Sequence, residues 1–73
     1  MKMHESLFDY LSPTEEQKER MGGLRADYAE LLEALEEVVP DGAYKMLAVR
    51  ALEESAMWAN KGITRDNDGG PRQ

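Results

Sequence analysis

Residues 50–65, RALEESAMWANKGITR, carry the side chains best suited to binding a small anion. Lys61 and Arg65 stand at i and i+4, and Trp58 and Lys61 at i and i+3, so on a helix they form one neighbouring set near its end. Arg50 adds a third cation further up the same segment. A guanidinium grips a phosphate through two parallel hydrogen bonds, the amide of Asn60 suits a base edge, and an aromatic ring offers a stacking face. Each residue also has a plainer use. Trp58 fills space between helices, Asn60 decorates a surface, and Lys61 and Arg65 complement the negative end of the helix dipole. Phe8 and Tyr10 are open in the same way, either as stacking rings beside a basic site or as apolar staples of the N-terminal arm.

Catalytic chemistry finds no footing. The one histidine, His4, has no Cys partner and no carboxylate at helical spacing. The clustered glutamates lack the Glu-x-x-His pairs of a di-iron bundle, and Gly22-Gly23 and Gly69-Gly70 lack the strand and helix context of a phosphate loop. The chain is expected to be no enzyme and to hold no metal or cofactor.

The chain has 73 residues, so it is one domain at most and buries only about 60% of the surface its unfolded form exposes. With no cysteine, neither disulfides nor thiolate metal sites add stability, and self-association or a ligand is expected to do so. The apolar runs are too short for a transmembrane span or a signal-peptide core, which makes a cytoplasmic location the expectation. A net charge of −6 argues against long nucleic acids as partners. That charge is uneven: residues 1–41 hold four basic and eleven acidic side chains, residues 42–73 five basic and four acidic. An anion site therefore belongs to the second half.

Two helices must position these groups. Ser12-Pro13-Thr14-Glu15 marks the first start, with Ser12 as cap, Pro13 at the first helical position and Glu15 reaching back. Met21, Leu24, Tyr28, Leu31, Leu35 and Val38 then follow at spacings of 3, 4, 3, 4 and 3, a heptad seam over a helix from about 13 to 38. Gly22-Gly23 inside it marks a bend or a close helix contact. Val39-Pro40-Asp41-Gly42 breaks the chain, and a second helix runs from about 43 to 65. Its small-residue face, Tyr44, Ala48, Ala51, Leu52, Ser55, Trp58, Ala59 and Gly62, suits close packing, with Trp58 in the core between the helices. Met46, Val49, Ala56 and Met57 leave more apolar surface than one partner helix covers, which implies further protomers. The expected fold is all-α: an arm over 1–11, an antiparallel two-helix hairpin over 12–65 and a disordered tail over 66–73, assembling into a helical-bundle homo-oligomer.

The order Phe8-x-Tyr10-x-x-Pro13, Leu24-Arg25, Pro40-Asp41-Gly42 and above all LAVRALEESAMWANKGITR resembles a family of small bacteriophage hairpin-domain proteins. That family includes the anti-CBASS cyclic-nucleotide sponge and the Thoeris anti-defence sponge. The resemblance covers roughly residues 8–65. It implies a protein without catalytic activity that sequesters cyclic oligonucleotide or cyclic ADP-ribose-type immune signals in the cytoplasm of the host bacterium. It also implies homo-oligomers of hairpins, up to hexamers, with ligands held between protomers. Asn60 and Arg65 match the family's Asn and terminal Arg. Arg50 stands where Thr is usual, Ala51 where Lys is, and Lys61 and Gly62 where Ala is, so the resemblance implies a ligand class and no single ligand.

On that reading Arg65, Lys61 and Arg50 bind phosphates, Asn60 a base or ribose edge, Phe8 or Tyr10 stacks on a base, and Arg25 contributes from the first helix. A few cations per site are enough for a compact anion even on an acidic chain. The rival expectation is a non-catalytic interaction module, an oligomeric adaptor or inhibitor of a host protein, docking through Met46, Val49 and Met57.

Overall fold

A computed structural model describes residues 2–72. Two helices, α1 (Glu15–Val38) and α2 (Ala43–Thr64), form an antiparallel hairpin 43 × 27 × 17 Å in extent. Among the described residues there is no strand, and no helix is long and apolar enough to cross a membrane.

α1 starts two residues later than its sequence suggests. Thr14 is the cap: its hydroxyl accepts from Gln17 N (3.1 Å), and Gln17 Oε1 accepts from Thr14 N (2.9 Å). Thr14-x-x-Gln17 satisfies two orphan donors reciprocally and so wins over Ser12 with Glu15. Glu15 instead sits in the exposed first turn and pairs with Lys18 at 3.2 Å. The helix ends where Pro40 demands it, with Val39 extended at φ −92° and ψ 124°.

Gly42 caps α2 through its backbone alone, at φ +146°, and its carbonyl accepts from Met46 N (3.1 Å). Lys45 braces the turn by donating to the Glu36 carbonyl (2.9 Å) and to Asp41 Oδ1 (3.1 Å).

The helices meet along Met21, Leu24, Tyr28, Leu32 and Leu35 of α1, and Ala48, Leu52, Ala56, Ala59 and Ile63 of α2, all half-buried. Beyond Tyr28 the seam leaves the expected heptad: Leu32 faces inward while Leu31 and Val38 are exposed, Val38 by 78%. The observed spacings of 3, 4, 4 and 3 keep the average of 3.5 and differ from the expected 3, 4, 3 and 4 only in the order of the last two steps, which turns Leu32 inward in place of Leu31. Trp58 is likewise displaced from the expected core. It is 63% exposed, lies against Glu54 (Nε1 to Oε1, 3.2 Å), and leaves the contact line to alanines that let α1 approach.

Two packed helices form a single contact line, and among the described residues no hydrophobic side chain is buried. Gly22 and Gly23 produce no break in α1, and a Cβ on either would meet nothing within 4 Å. No contact inside this chain therefore explains either one.

Candidate functional site

Most of the backbone hydrogen bonds outside the helices gather at the open end of the hairpin. Four carbonyls at a helix C-terminus lack helical partners, and here each finds one. The Lys61 carbonyl accepts from Arg65 N (3.0 Å), Gly62 from Arg72 Nε (3.1 Å), Ile63 from Gln17 Nε2 (3.2 Å) and Thr64 from Arg72 N (2.8 Å). Arg72 also donates to the Arg65 carbonyl (2.7 Å) and pairs with Asp66 (3.3 Å).

Where the sequence suggested a disordered tail over 66–73, the described residues 66–72 make these bonds. Asp66-Asn67-Asp68-Gly69 forms a turn in which Gly69 N donates to the Asp66 carbonyl (2.9 Å), Asp66 N donates to Gly70 (2.7 Å), and Arg65 bridges to Pro71. Gly69 adopts φ +86°, a conformation that favours glycine. Turn chemistry followed by an arginine able to reach helix carbonyls was the available sequence signal, and Gln17 and Arg72 are the residues it would have found.

The N-terminal arm lies against that turn. His4 N donates to the Asp68 carbonyl (2.7 Å), and Leu7 N and Asp9 N donate to His4 (3.1 Å) and Ser6 (2.9 Å). Ser6 N donates to His4 Nδ1 (3.0 Å). Gly69 and Gly70 are buried beneath Leu7 and His4: a Cβ would fall 2.5 Å from Leu7 Cδ1 and 2.8 Å from His4 Cδ2 respectively, so the arm side chains would have to shift to admit one.

Arg65 joins all three pieces. It is 7% exposed, the one buried charged side chain among the described residues. Its guanidinium donates to the carbonyls of Ser6 (3.0 Å), Gly69 and Asp9. Among the described residues no carboxylate forms an ion pair with it; the carbonyl dipoles and the C-terminal end of α2 stand in for one. The sequence expectation placed this arginine on a ligand phosphate, and in the structure backbone carbonyls accept from three of its five N–H groups.

The other expected site residues fall into separate groups. Phe8 and Tyr10 flank Asp9 on the arm and are 95% and 86% exposed. Asn60 and Lys61 are exposed on the last turns of α2. Arg25 borders an open groove between the helices with Tyr28, Leu32, Val49, Leu52 and Glu53. Arg50 borders a different groove beside the turn, with Glu36, Lys45 and Met46. Fifteen residues of helix separate Arg50 from Arg65, roughly 22 Å along the axis at 1.5 Å per residue. One chain therefore does not bring the three expected phosphate-binding cations to one small ligand.

No curated protein and no solved structure matches the chain. The Acb2/Tad1 hairpin-domain family matches residues 3–64, which take in most of the arm and both helices and stop just before Arg65 and the turn that follows it. The match spans most of the sequence, and the chain belongs to the Acb2/Tad1 hairpin-domain family.

Proposed function

We propose that this chain is a phage-type anti-defence sponge that binds a cyclic oligonucleotide or cyclic ADP-ribose-type signal in the host bacterial cytoplasm and holds it unchanged. The family match over residues 3–64 carries this reading, since the family is of the sponge type and is no known enzyme family. The exposure of Phe8 and Tyr10 supports it: two neighbouring aromatic rings facing solvent from a backbone tied down on both sides suit stacking on bases. Lys61, Arg25 and Arg50 supply phosphate contacts and Asn60 a polar contact to a base or ribose.

The ligand is held between protomers. The surface measures 6031 Å², whereas a compact monomer of 8.3 kDa exposes about 4,600 Å². The excess is more than the roughly 800 Å² that each partner contributes to a standard interface. Exposed Leu31, Tyr44, Met46, Leu47 and Met57 provide apolar surface for it. Assembly, from a dimer of hairpins up to a hexamer, also brings cations that are far apart in one chain into a shared cleft.

The test is a thermal-shift panel of cyclic dinucleotides, cyclic trinucleotides and cyclic ADP-ribose isomers. A ligand bound only by the folded form raises the melting temperature by mass action. Heat release followed by mass spectrometry is expected to return the compound intact. A cleaved product would replace the sponge with an enzyme. A monomer that responds to no compound would favour the protein-interaction module.

A further inference from the structure

Arg65 and the turn after it do something that the hairpin itself does not require. The two helices are complete at Thr64, and the family match ends there. Beyond that point residues 65–72 turn back and attach to the arm at three places. His4 N donates to Asp68, Leu7 packs on Gly69, and the Arg65 guanidinium spans Ser6, Asp9 and Gly69. Asp9 is the residue between Phe8 and Tyr10, so the carbonyl that Arg65 holds fixes the backbone from which both rings project.

We infer that Arg65 is a positioning residue: backed by the turn at 66–70, its guanidinium clamps the arm so that Phe8 and Tyr10 stand ready to stack on a ligand. This rests on the sponge reading for the ligand, and on geometry alone for the clamp. An arm without helix or sheet would otherwise lose conformational freedom each time a ligand bound, and ordering it beforehand removes that cost from binding. Arginine suits the task because its planar fork presents five donors at fixed angles and reaches several carbonyls at once, which the single ammonium of lysine does not.

At 7% exposure the guanidinium is closed off by the arm and the turn while the clamp is in place. A phosphate reaches this guanidinium only after the arm and turn leave it. Loosening the arm therefore weakens ligand binding if Arg65 positions, and leaves binding unchanged or stronger if Arg65 is itself the phosphate ligand.

The experiment uses the full chain with Arg65→Gln, Arg65→Lys and Gly69→Val. The last opposes arm docking while keeping the Arg65 side chain itself unchanged, since its Cβ would crowd Leu7 at a φ of +86°. Hydrogen exchange is read at the amides of His4, Leu7 and Asp9, helix content by circular dichroism, and affinity with whichever panel compound most stabilises the wild type, cyclic di-GMP being the first probe. All three variants are expected to exchange the arm amides at least about tenfold faster with helix content kept. Affinity is expected to fall at least about tenfold in each, because the ordering cost returns. Unchanged arm exchange in Arg65→Gln and Gly69→Val overturns the clamp. Tighter or equal binding by Gly69→Val, with weaker binding by Arg65→Gln, overturns positioning in favour of direct phosphate contact. Wild-type binding by Arg65→Lys shows that charge alone suffices and likewise overturns it. A wild type that binds nothing in the panel ends the sponge reading and the stacking role with it, while the exchange rates still decide the clamp.

Discussion

The hydroxyl of Tyr28 on α1 lies 2.6 Å from that of Ser55 on α2, a side-chain hydrogen bond that ties the two helices together near the middle of the hairpin. It sets the register of the pair, and that register places Gln17 below the last turn of α2, where it reaches the Ile63 carbonyl. The bond is exposed, so its contribution sits at the low end of the usual range. Tyr28→Phe is expected to cost about 0.5 kcal/mol. For a domain of this size that lowers the melting temperature by roughly 2–4 °C, which a scan at fixed protein concentration resolves.

The start of α1 separates two caps cleanly. Thr14→Ala removes the acceptor for Gln17 N and is expected to destabilise by about 1 kcal/mol. Ser12→Ala, which lies outside the capping box, should change stability by less than about 0.5 kcal/mol. Equal losses from the two in denaturant titrations would contradict the Thr14 cap.

Gly22→Ala and Gly23→Ala test what lies beside α1. Within the chain a Cβ at either position meets nothing, so each alanine is expected to stabilise the helix by roughly 1 kcal/mol in dilute protein. A destabilising alanine, measured across a concentration series, would place another copy of the chain against that position.

Leu47→Glu tests assembly from the second helix. Leu47 is 63% exposed, and in an isolated hairpin the change should alter stability by less than about 0.5 kcal/mol. In an oligomer that covers Leu47 the charge is buried without a partner, and the mass measured by light scattering is expected to fall to that of a smaller species. Unchanged mass would remove this face from the interface.

Much of the architecture was legible along the chain. Pro40 and Gly42 allow no continuous helix between Val38 and Ala43, and the apolar spacing on either side leaves only an antiparallel pair. The seam was legible at Met21, Leu24, Tyr28 and Leu35 and misread at Leu31 and Val38, which are exposed while Leu32 turns inward. Trp58 was misplaced for a related reason. Its size suggested a core, yet the contact line is narrow enough that alanines fill it.

The sequence offered residue types for a site and could not give their arrangement. Phe8 and Tyr10 are both exposed, on either side of Asp9, whereas Arg50, Arg25 and Lys61 are distributed over different parts of the hairpin. The sequence by itself determined what depends on neighbours within a few residues: two helices, a break between them at Pro40 and Gly42, and an acidic first half. Only the tertiary structure decided which groups the Arg65 guanidinium meets, because the carbonyls of Ser6 and Asp9 that accept from it lie 59 and 56 residues away. A charged side chain takes its function from whichever partners folding brings within hydrogen-bond reach, and no local pattern records partners so distant in the chain.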